Sequence, residues 1–322
     1  MTDKILVVGG AGYIGSHVAR ALLQENYGVT VYDNLSTGHR ENVLDGAEFI
    51  EGDILDEKKI SEVMSQGFSA VVHLAAKKAV GESMEKPQIY ARNNLIGSIN
   101  VFNAMLENGV KNVVFSSTSA SYGNPQYLPL DETHPISPLS FYGFTKIEIE
   151  RVMDWYSRLK DFHYIALRYF NAVGYAADGS IRGRELNPQN LVPIVMETIT
   201  GQREKMEVFG DDYDTPDGTC IRDYIHVEDL ARAHVASIQR LAQYPQSEII
   251  NLGTNKGTSV LEIIQSIERV TGRKVNYEIG PRRDGDPSVV IASSEKAKAL
   301  LGWEPQYTNI DEIIKTVWNL EQ

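Results

Sequence analysis

Short, continuous apolar runs alternate with longer segments of helical spacing through the first half of the chain. The apolar runs cover residues 5–8, 29–32, 70–74 and 113–115, and a further one covers 164–167. Continuous runs are typical of strands buried on both faces of a parallel sheet. Between them, residues 16–26 and 93–108 carry apolar side chains at helical spacing. This alternation predicts a Rossmann-like, doubly wound α/β fold.

The local composition of the chain changes after about residue 170, where longer loops rich in Gly, Asp, Pro and Arg begin. Two later helices are expected, at residues 259–271 and 294–301. A chain of 322 residues is long enough for two hydrophobic cores. We therefore expect a Rossmann domain over residues 1–170 and a smaller C-terminal α/β substrate domain over 171–322, with the chain crossing between them more than once.

Composition narrows the classes of function. The net charge of −12 disfavours binding to nucleic acid or to an anionic membrane, which needs a broad basic surface. One cysteine, Cys220, excludes an internal disulfide and favours a reducing compartment. The first residues lead into an apolar strand pattern without the features of a signal peptide, and no apolar run reaches membrane-spanning length. A cytoplasmic protein with neither a nucleic-acid nor a membrane partner is expected.

A glycine-rich turn follows the first predicted strand. Gly9, Gly12 and Gly15 precede a helical segment, and Asp33 ends the second predicted strand. Glycines let the backbone approach a pyrophosphate at the start of a helix, and an acid about 20 residues further on accepts hydrogen bonds from the adenosine ribose. A carboxylate at that place repels a 2′-phosphate. The sequence therefore predicts NAD rather than NADP.

A tyrosine and a lysine stand four residues apart at the start of a predicted helix that runs from residue 141 to about 160. This spacing puts Tyr142 and Lys146 on one face of the helix. Residues 115–119, Phe-Ser-Ser-Thr-Ser, end the predicted fourth strand with a cluster of hydroxyls, and the carboxyl ends of parallel strands border the ligand crevice. Oxidation of an alcohol by hydride transfer needs a base, and a nearby cation lowers the pKa of a tyrosine toward that task. The grouping predicts hydride-transfer chemistry.

Longer strings of residues carry a resemblance to a known family. They include residues 9–17, 33–36, 52–54, 73–76, 78–83, 142–146, 167–171 and 222–227, of which Lys-Ala-Val-Gly-Glu-Ser and Arg-Asp-Tyr-Ile-His-Val are the most specific. Together they resemble the extended short-chain dehydrogenase/reductase family, and within it the UDP-sugar 4-epimerases, over essentially the whole chain. The resemblance implies interconversion of UDP-galactose and UDP-glucose through a 4-keto sugar, tightly bound NAD, a UDP-sugar substrate and a homodimer.

The resemblance also implies roles for single residues. Tyr142 would be the acid and base, Lys146 would tune it and bind the nicotinamide ribose, and Thr118 would orient the substrate hydroxyl. The remaining NAD-binding positions would be Gly9, Gly12, Tyr13, Ile14, Gly15, Asp33, Asn34, Leu35, Ser36, Thr37, Gly38, Asp53, Ile54, Leu74, Ala75, Ala76, Lys78, Asn93 and Phe170. Those that hold the substrate, besides Thr118 and Tyr142, would be Asn171, Asn190, Leu191, Val208, Phe209, Arg222, Arg283, Asp286 and Val290.

Neighbouring activities remain open at this stage. Nucleotide-sugar 4,6-dehydratases of the same family have Asp-Glu after the threonine, whereas Ser119 and Ala120 follow Thr118 here. Epimerases of UDP-glucuronate, UDP-arabinose or N-acetylated sugars are close alternatives, and the modest size of Val290 favours some acceptance of UDP-N-acetylglucosamine. A noncatalytic NAD-binding sensor is a further alternative that has no need of the three catalytic groups together.

Other polar residues are interpreted more simply. Arg222 and Arg283 suit a diphosphate, because guanidinium groups bind phosphate in a bidentate manner. His226 and His234 are expected to pack in the interior, since no ligand partner stands at suitable spacing, and no metal is expected.

Overall fold

The computed structural model of the protein describes residues 3–183, 188–283 and 285–322. Its strands are β1 Lys4–Val8, β2 Gly28–Asp33, β3 Ala47–Glu51, β4 Ala70–His73, β5 Asn112–Thr118, β6 His163–Tyr169, β7 Asn171–Val173, β8 Met206–Phe209, β9 Ile221–Arg222, β10 Tyr224–His226, β11 Glu248–Leu252, β12 Thr258–Ser259, β13 Tyr277–Gly280 and β14 Val289–Val290. Its helices are α1 Tyr13–Gln24, α2 Glu57–Met64, α3 Val80–Glu85, α4 Pro87–Tyr90, α5 Gly97–Glu107, α6 Phe141–Leu159, α7 Leu191–Ile199, α8 Val227–Gln243, α9 Val260–Thr271, α10 Glu295–Leu301 and α11 Ile310–Trp318.

A sheet of seven parallel strands forms the centre of the larger part of the molecule. Its strand order is β11-β6-β5-β4-β1-β2-β3. The chain runs outward from β1 in one direction through β2 and β3, and in the other through β4, β5 and β6. The order therefore reverses between β1 and β4, and in such sheets ligands bind at that point, beyond the carboxyl ends of the strands. The fold is Rossmann-like and doubly wound, as predicted.

Helices cover both faces of this sheet, as the continuous apolar strands require. On one face, Val18 and Leu22 of α1 and Ile238 of α8 pack with Ile5 and Val7 of β1. The opposite face is covered by α2, α5 and α6 through a second set of buried side chains, which includes Ile60, Phe102 and Met153. Burial of each such side chain stabilises the fold by about 1.5–3 kcal/mol relative to exposure.

A smaller hydrophobic cluster lies in the second half of the chain. Val195 of α7, Val208 of β8, Ile263 of α9 and Ile314 of α11 are all buried in it. The strands of this part form short sheets, β10-β7, β12-β9-β14 and β13-β8. Between these elements the chain returns to the large sheet, because β11 pairs in parallel with β6. The boundary at residue 170 stays a prediction.

The strands expected from the apolar runs are all present, and the helices differ at their ends. Helix α1 begins at Tyr13, immediately after Gly12, earlier than the predicted start at residue 16. The helix expected over 93–108 is divided, since residues Ala91–Ile96 form a π-helical turn before α5. Both predicted late helices occur as α9 and α10, and α11 follows them. Within the described ranges, no helix is long and apolar enough to cross a membrane.

Candidate active site

The glycine-rich turn brings backbone against backbone at the carboxyl end of β1. Gly9 has a positive φ of 87°, and a Cβ added there would lie 2.6 Å from the Ala75 nitrogen. A Cβ on Gly15 would lie 2.1 Å from the Gly9 carbonyl oxygen. Gly12 is the N-cap of α1, and no side chain in the described part of the protein caps the helix. The start of α1 therefore suits an anion such as a dinucleotide pyrophosphate, whose charge a helix N-terminus favours.

Asp33 ends β2 beside this turn and is held firmly. Its Oδ2 accepts a hydrogen bond of 3.0 Å from the Ala11 nitrogen, and its Oδ1 accepts one of 2.8 Å from the Leu35 nitrogen. Burial raises the pKa of Asp33, and these backbone hydrogen bonds act in the opposite direction. A carboxylate oxygen has further lone pairs, so Asp33 can also accept bonds from ribose hydroxyls. A carboxylate that accepts hydrogen bonds at this place fits NAD.

The other predicted cofactor residues surround the same edge of the sheet. The Asn34 amide donates to Asp53 Oδ2 at 2.8 Å, and the Ser36 nitrogen donates to Asn34 Oδ1 at 3.0 Å. Gly38 lies against Ala11 of the glycine turn. Leu74 and Ala75 follow β4, and both of their nitrogens donate to the Val8 carbonyl. These contacts draw the loops after β1, β2, β3 and β4 together around one crevice.

The structure brings Thr118 and Tyr142 together across the end of the sheet. Thr118 is the last residue of β5, and Tyr142 is in the first turn of α6, whose N-cap Ser140 accepts from the Gly143 nitrogen. The two hydroxyl groups lie close enough for Thr118 to act on the ionisation of Tyr142. Burial raises the pKa of Tyr142 to about 12, and the Thr118 hydroxyl acts in the opposite direction. This direction is opposite to the one expected from Lys146, because burial is the largest cause of the shift.

Lys146 lies one helical turn beyond Tyr142 and is 2% exposed. Its Nζ donates to the Ser116 carbonyl at 2.6 Å and lies 4.7 Å from the centre of the Phe115 ring. Burial lowers the pKa of Lys146 to about 7, and the nearby Glu150 carboxylate acts to raise it. A lysine in this state can carry or release a proton near neutral pH.

One polar residue of the site was not predicted. Asn94 is fully buried in the π-helical turn, where its Oδ1 accepts from the Lys77 nitrogen and from the Asn93 amide, each at 2.9 Å. Its Nδ2 donates to the Lys77 carbonyl at 3.0 Å and to Thr145 Oγ1 at 3.2 Å. Asn94 thus connects the loop after β4 to α6. A signal was present in the sequence, since a polar residue interrupts the apolar spacing of this helix.

A second unpredicted set is charged and lies under the site. Glu150 and Arg168 form a buried ion pair of 2.5 Å, each with a side chain 4% exposed. They stand on α6 and β6, 18 residues apart. A sequence pattern gives no means of pairing two such residues, because their contact depends on how the helix lies across the sheet.

The predicted substrate residues of the second half form two groups. Arg222 of β9 makes an ion pair with Asp286, and it aligns with Val290 in the β9–β14 ladder. The Arg283 guanidinium lies 3.7 Å from the centre of the Phe209 ring. By contrast, the neighbouring Arg282 binds Asp212 at 2.6 Å, outside this group. Two guanidinium groups, one carboxylate and an aromatic face are therefore available for a nucleotide diphosphate.

The remaining predicted positions make contacts of their own. Phe170 packs with Val290 in a small apolar cluster, and the Asn171 amide donates to the Asp223 carbonyl at 3.1 Å. Leu191 begins α7, and the preceding Asn190 lines a cavity of about 550 Å³ together with Tyr13. Val208 is buried directly before Phe209.

His226 and His234 lie in the interior. His226 stacks on Tyr307 with ring centres 3.9 Å apart, and its Nε2 lies 3.2 Å from Thr316 Oγ1. His234 Nδ1 is 2.8 Å from the Leu230 carbonyl. In the part of the chain that the structure describes, no group of three or more His, Cys, Asp and Glu could hold a metal.

Comparison with known proteins agrees with this geometry. Residues 5–253 match the NAD dependent epimerase/dehydratase family. The chain is 46% identical over 317 residues to the UDP-glucose 4-epimerase of Halalkalibacterium halodurans, covering 98% of this chain and 94% of that protein.

Solved structures give the same result. The crystal structure of UDP-glucose 4-epimerase from Brucella ovis in complex with NAD superposes with a TM-score of 0.95 at 45% identity, covering 98% of this chain and 97% of that one. The UDP-Glc/GlcNAc 4-epimerase of Campylobacter jejuni superposes with a TM-score of 0.87 at 38% identity, covering 99% of each chain.

Proposed function

Because the chain belongs to the NAD dependent epimerase/dehydratase family, we propose that it interconverts UDP-galactose and UDP-glucose by reversible oxidation at C4 of the sugar. The observation that carries the proposal is the placement of Thr118, at the carboxyl end of β5, close to Tyr142 in the first turn of α6. The two hydroxyls can hold one substrate oxygen, and Lys146 lies one turn away. The protein is an NAD-dependent isomerase that passes through a 4-keto sugar.

When bound, NAD would supply the hydride acceptor for C4 of the sugar and the hydride donor for the return step. The pyrophosphate is assigned to the start of α1 and the adenosine ribose to Asp33, which the absence of a side-chain cap on the described helix start and the close glycine contacts support. We assign the loops after β2, β3 and β4 to the rest of the cofactor, and Lys146 to the nicotinamide ribose.

Tyr142 is assigned the proton of the C4 hydroxyl. A phenol with a pKa of about 12 is almost wholly protonated at neutral pH, so the buried hydroxyl needs a nearby positive charge to give up its proton. Lys146, one helical turn away, is assigned to that task, and NAD would add its own positive charge when bound. Thr118 fixes the distance between the substrate oxygen and Tyr142, so proton and hydride can leave together.

The second half of the reaction requires the 4-keto sugar to turn over while its nucleotide stays bound. Arg222 and Arg283 are assigned to the diphosphate, and the contact of Arg283 with Phe209 supports a fixed nucleotide site. Rotation about the diphosphate link then presents the other face of the ketone. Elimination of water is not expected, because Ser119 and Ala120 stand where a dehydratase needs two carboxylates.

The test is to incubate the purified protein with UDP-galactose, without added cofactor, and to separate the products by chromatography. Formation of UDP-glucose supports 4-epimerisation with retained NAD. Absence of product after NAD is added contradicts the proposal, and UDP-glucuronate, UDP-arabinose and UDP-N-acetylglucosamine are then tested in turn. A protein that binds NAD but converts none of these sugars is better described as a sensor.

We further propose that UDP-N-acetylglucosamine is accepted as a second substrate. Val290 stands in β14 beside the predicted sugar site, in an apolar cluster with Phe170 and Tyr122. A valine leaves more space than a large aromatic residue at this position. The similarity to a UDP-Glc/GlcNAc 4-epimerase supports the same view.

A homodimer in the cytoplasm is also proposed. Helices α3 to α6 expose a set of large apolar side chains, namely Val80, Met84, Ile89, Ile96, Phe144, Trp155 and Leu159. A surface of that kind favours a helical interface between two copies. The cytoplasm is a reducing compartment, and the single cysteine, Cys220, which is buried and free, is consistent with it. Light scattering of the purified protein, alone and with Trp155 replaced by Glu, tests the dimer.

A further inference from the structure

A buried carboxylate that the proposed reaction does not use lies one helical turn beyond Lys146. Glu150 is 4% exposed and stands on the same helix, α6, as Tyr142 and Lys146. Its Oε1 accepts from Arg168 Nε at 3.0 Å and from Ser117 Oγ at 2.5 Å, and its Oε2 accepts from Arg168 Nη2 at 2.5 Å. The carboxylate is therefore fully engaged by charge-assisted hydrogen bonds.

These partners come from two adjacent strands at one level of the sheet. Ser117 and Arg168 are register partners in β5 and β6. One carboxylate thus holds α6 against both strands. One residue earlier on β5, the Ser116 carbonyl accepts from Lys146 at 2.6 Å. Helix α6 is tied to two consecutive residues of β5, and the next residue is Thr118.

This attachment determines how Tyr142 faces Thr118. Tyr142 and Glu150 are on one helix, and Thr118 directly follows Ser117, so a slide or rotation of α6 would break the Glu150 contacts and change the hydroxyl separation together. The network extends further, since Arg168 Nη1 donates to the Tyr122 hydroxyl at 3.1 Å and Tyr122 donates to Asn251 at 2.6 Å. The ion pair therefore has its own rigid support.

Stability alone gives little reason for a charge at this position. Removing two ions from water costs so much free energy that a protein in which apolar side chains replace a buried ion pair is often equally stable. The charge does act on the site, because Glu150 opposes the effect of burial on the pKa of Lys146. His73 also faces Lys146 and burial strongly lowers the pKa of that histidine, so it contributes no attraction. Tyr142 and Tyr169 are further titratable groups nearby, and Tyr164 also interacts with the charge of Glu150.

We infer that Glu150 is a positioning residue for the reaction proposed above: it sets the register of α6 on β5 and β6 and keeps the Lys146 ammonium charged. The inference rests on the proposed function, since it assigns Glu150 to the same site. It acts through Lys146, Tyr142 and Thr118 and does not itself contact the substrate.

The experiment compares Glu150→Gln and Glu150→Asp with the wild type. Glu150→Gln keeps the size and removes the charge, whereas Glu150→Asp keeps the charge and shortens the side chain. Asp154→Asn is the matched control, because it removes a carboxylate charge from the same helix at a side chain 42% exposed. For each protein, kcat, KM and the pH dependence of kcat/KM are measured, with circular dichroism to verify folding.

In Glu150→Gln, kcat is expected to fall at least roughly tenfold with little change in KM, because a small misplacement of reacting groups is costly. The alkaline decline of kcat/KM is expected to begin at lower pH, since Lys146 loses its proton more easily without the carboxylate. Glu150→Asp is expected to lower kcat while the decline stays at the wild-type pH, and Asp154→Asn is expected to change neither. Wild-type kcat and an unchanged profile in folded Glu150→Gln overturn the inference. If that variant does not fold, wild-type kcat in Glu150→Asp overturns it.

A titration without substrate separates this inference from the proposed function. The ionisation of Lys146 is followed by nuclear magnetic resonance of protein with isotope-labelled lysine, and its signal is assigned by comparison with the Lys146→Met counterpart of each protein. In Glu150→Gln, Lys146 is expected to lose its proton at lower pH than in the wild type, because the carboxylate that favours the ammonium is gone. An inactive wild type contradicts the function, whereas equal titration of Lys146 in both proteins contradicts the role of Glu150.

Discussion

The Tyr13 hydroxyl donates a hydrogen bond of 2.5 Å to the Gly174 carbonyl. This contact joins the first residue of α1, at the glycine turn, to the segment after β7. One turn along α1, His17 Nε2 accepts from the Ala176 nitrogen at 3.0 Å. The start of the cofactor helix is therefore attached to the second half of the chain at two levels.

Replacing Tyr13 by Phe is expected to make NAD dissociate faster, because the helix start loses one of its external attachments. The loss of one hydrogen bond costs about 1 kcal/mol, which corresponds to roughly a fivefold change in the dissociation constant. The NAD content after extensive dialysis, measured by chromatography, checks this. Tyr244→Phe is the control, since Tyr244 is 55% exposed and distant in sequence from the turn. Equal NAD retention in both variants would contradict the expectation.

Replacing Tyr142 by Phe is expected to leave folding and NAD binding intact and to lower turnover of UDP-galactose by about two to four orders of magnitude, the usual contribution of a general acid and base. Tyr156→Phe provides a control on the same helix, where the hydroxyl donates to Asn103 at 2.8 Å away from the sheet edge. Turnover by Tyr142→Phe close to that of Tyr156→Phe would remove Tyr142 from its assigned role.

Two adjacent arginines offer a matched pair of variants. Arg283 lies over Phe209 in the predicted nucleotide site, and Arg282 is bound to Asp212, whose side chain is 72% exposed. Arg283→Gln is expected to raise KM for UDP-galactose by roughly tenfold or more, because a charge-assisted bond to the diphosphate is lost. Arg282→Gln is expected to have little effect on KM. Steady-state kinetics of both variants decide, and an equal rise in KM would speak against the assignment of Arg283.

Val290→Tyr is expected to abolish turnover of UDP-N-acetylglucosamine while UDP-galactose is still converted, because the larger ring fills the space left for an acetamido group. The ratio of kcat/KM for the two sugars measures the effect. Val289→Tyr, one residue earlier on β14, is the comparison, since neighbouring strand residues point to opposite faces. If the wild type does not convert UDP-N-acetylglucosamine, the proposal for this sugar is wrong.

The free energy of unfolding is expected to fall steeply as the pH drops from about 6.5 toward 4. Burial lowers the pKa of His17 and His234 to about 4, and that of His73 and His226 to about 3, from 6.5. Below 6.5 the unfolded chain binds protons that these folded histidines do not, so stability is present above that pH and is lost as the pH falls. Each histidine contributes about 2 kcal/mol of loss by pH 5.

Urea unfolding at a series of pH values measures this slope. His17→Gln removes one of the four contributions and is expected to give a shallower dependence on pH, although the variant is less stable at pH 7. A slope in the variant as steep as in the wild type would show that His17 titrates normally in the folded protein.

The main sheet was predictable because its inner strands are continuous apolar runs, and buried parallel strands permit little else. Strand β3 was missed because it lies at the sheet edge and its residues, Ala47–Glu51, are only partly buried. Its sequence mixes polar and apolar side chains, so it has no continuous apolar run. Strand β11 was missed for another reason: its place beside β6 follows from the return of the chain after 78 residues, which no local pattern encodes.

The residues of the site also fall into those that local spacing predicts and those that depend on long-range packing. Tyr142 and Lys146 could be found because helical spacing relates them directly. The partners of Asn94 and Glu150 lie on other elements, and their contacts depend on how α6 crosses the strands. The pKa of Tyr142 was also beyond the sequence, because burial rather than the spacing to Lys146 determines its direction.

The position of β11 at the edge of the seven-stranded sheet has a consequence for synthesis on the ribosome. Strand β6 ends at Tyr169, whereas β11 begins at Glu248. The edge of β6 that faces away from β5 therefore has no partner until the ribosome has made most of the chain. At typical elongation rates this interval is on the order of ten seconds. An open strand edge is a template for pairing with other chains. The nascent protein is thus most vulnerable to aggregation during that interval, and a chaperone that covers β6 would be needed most at this stage.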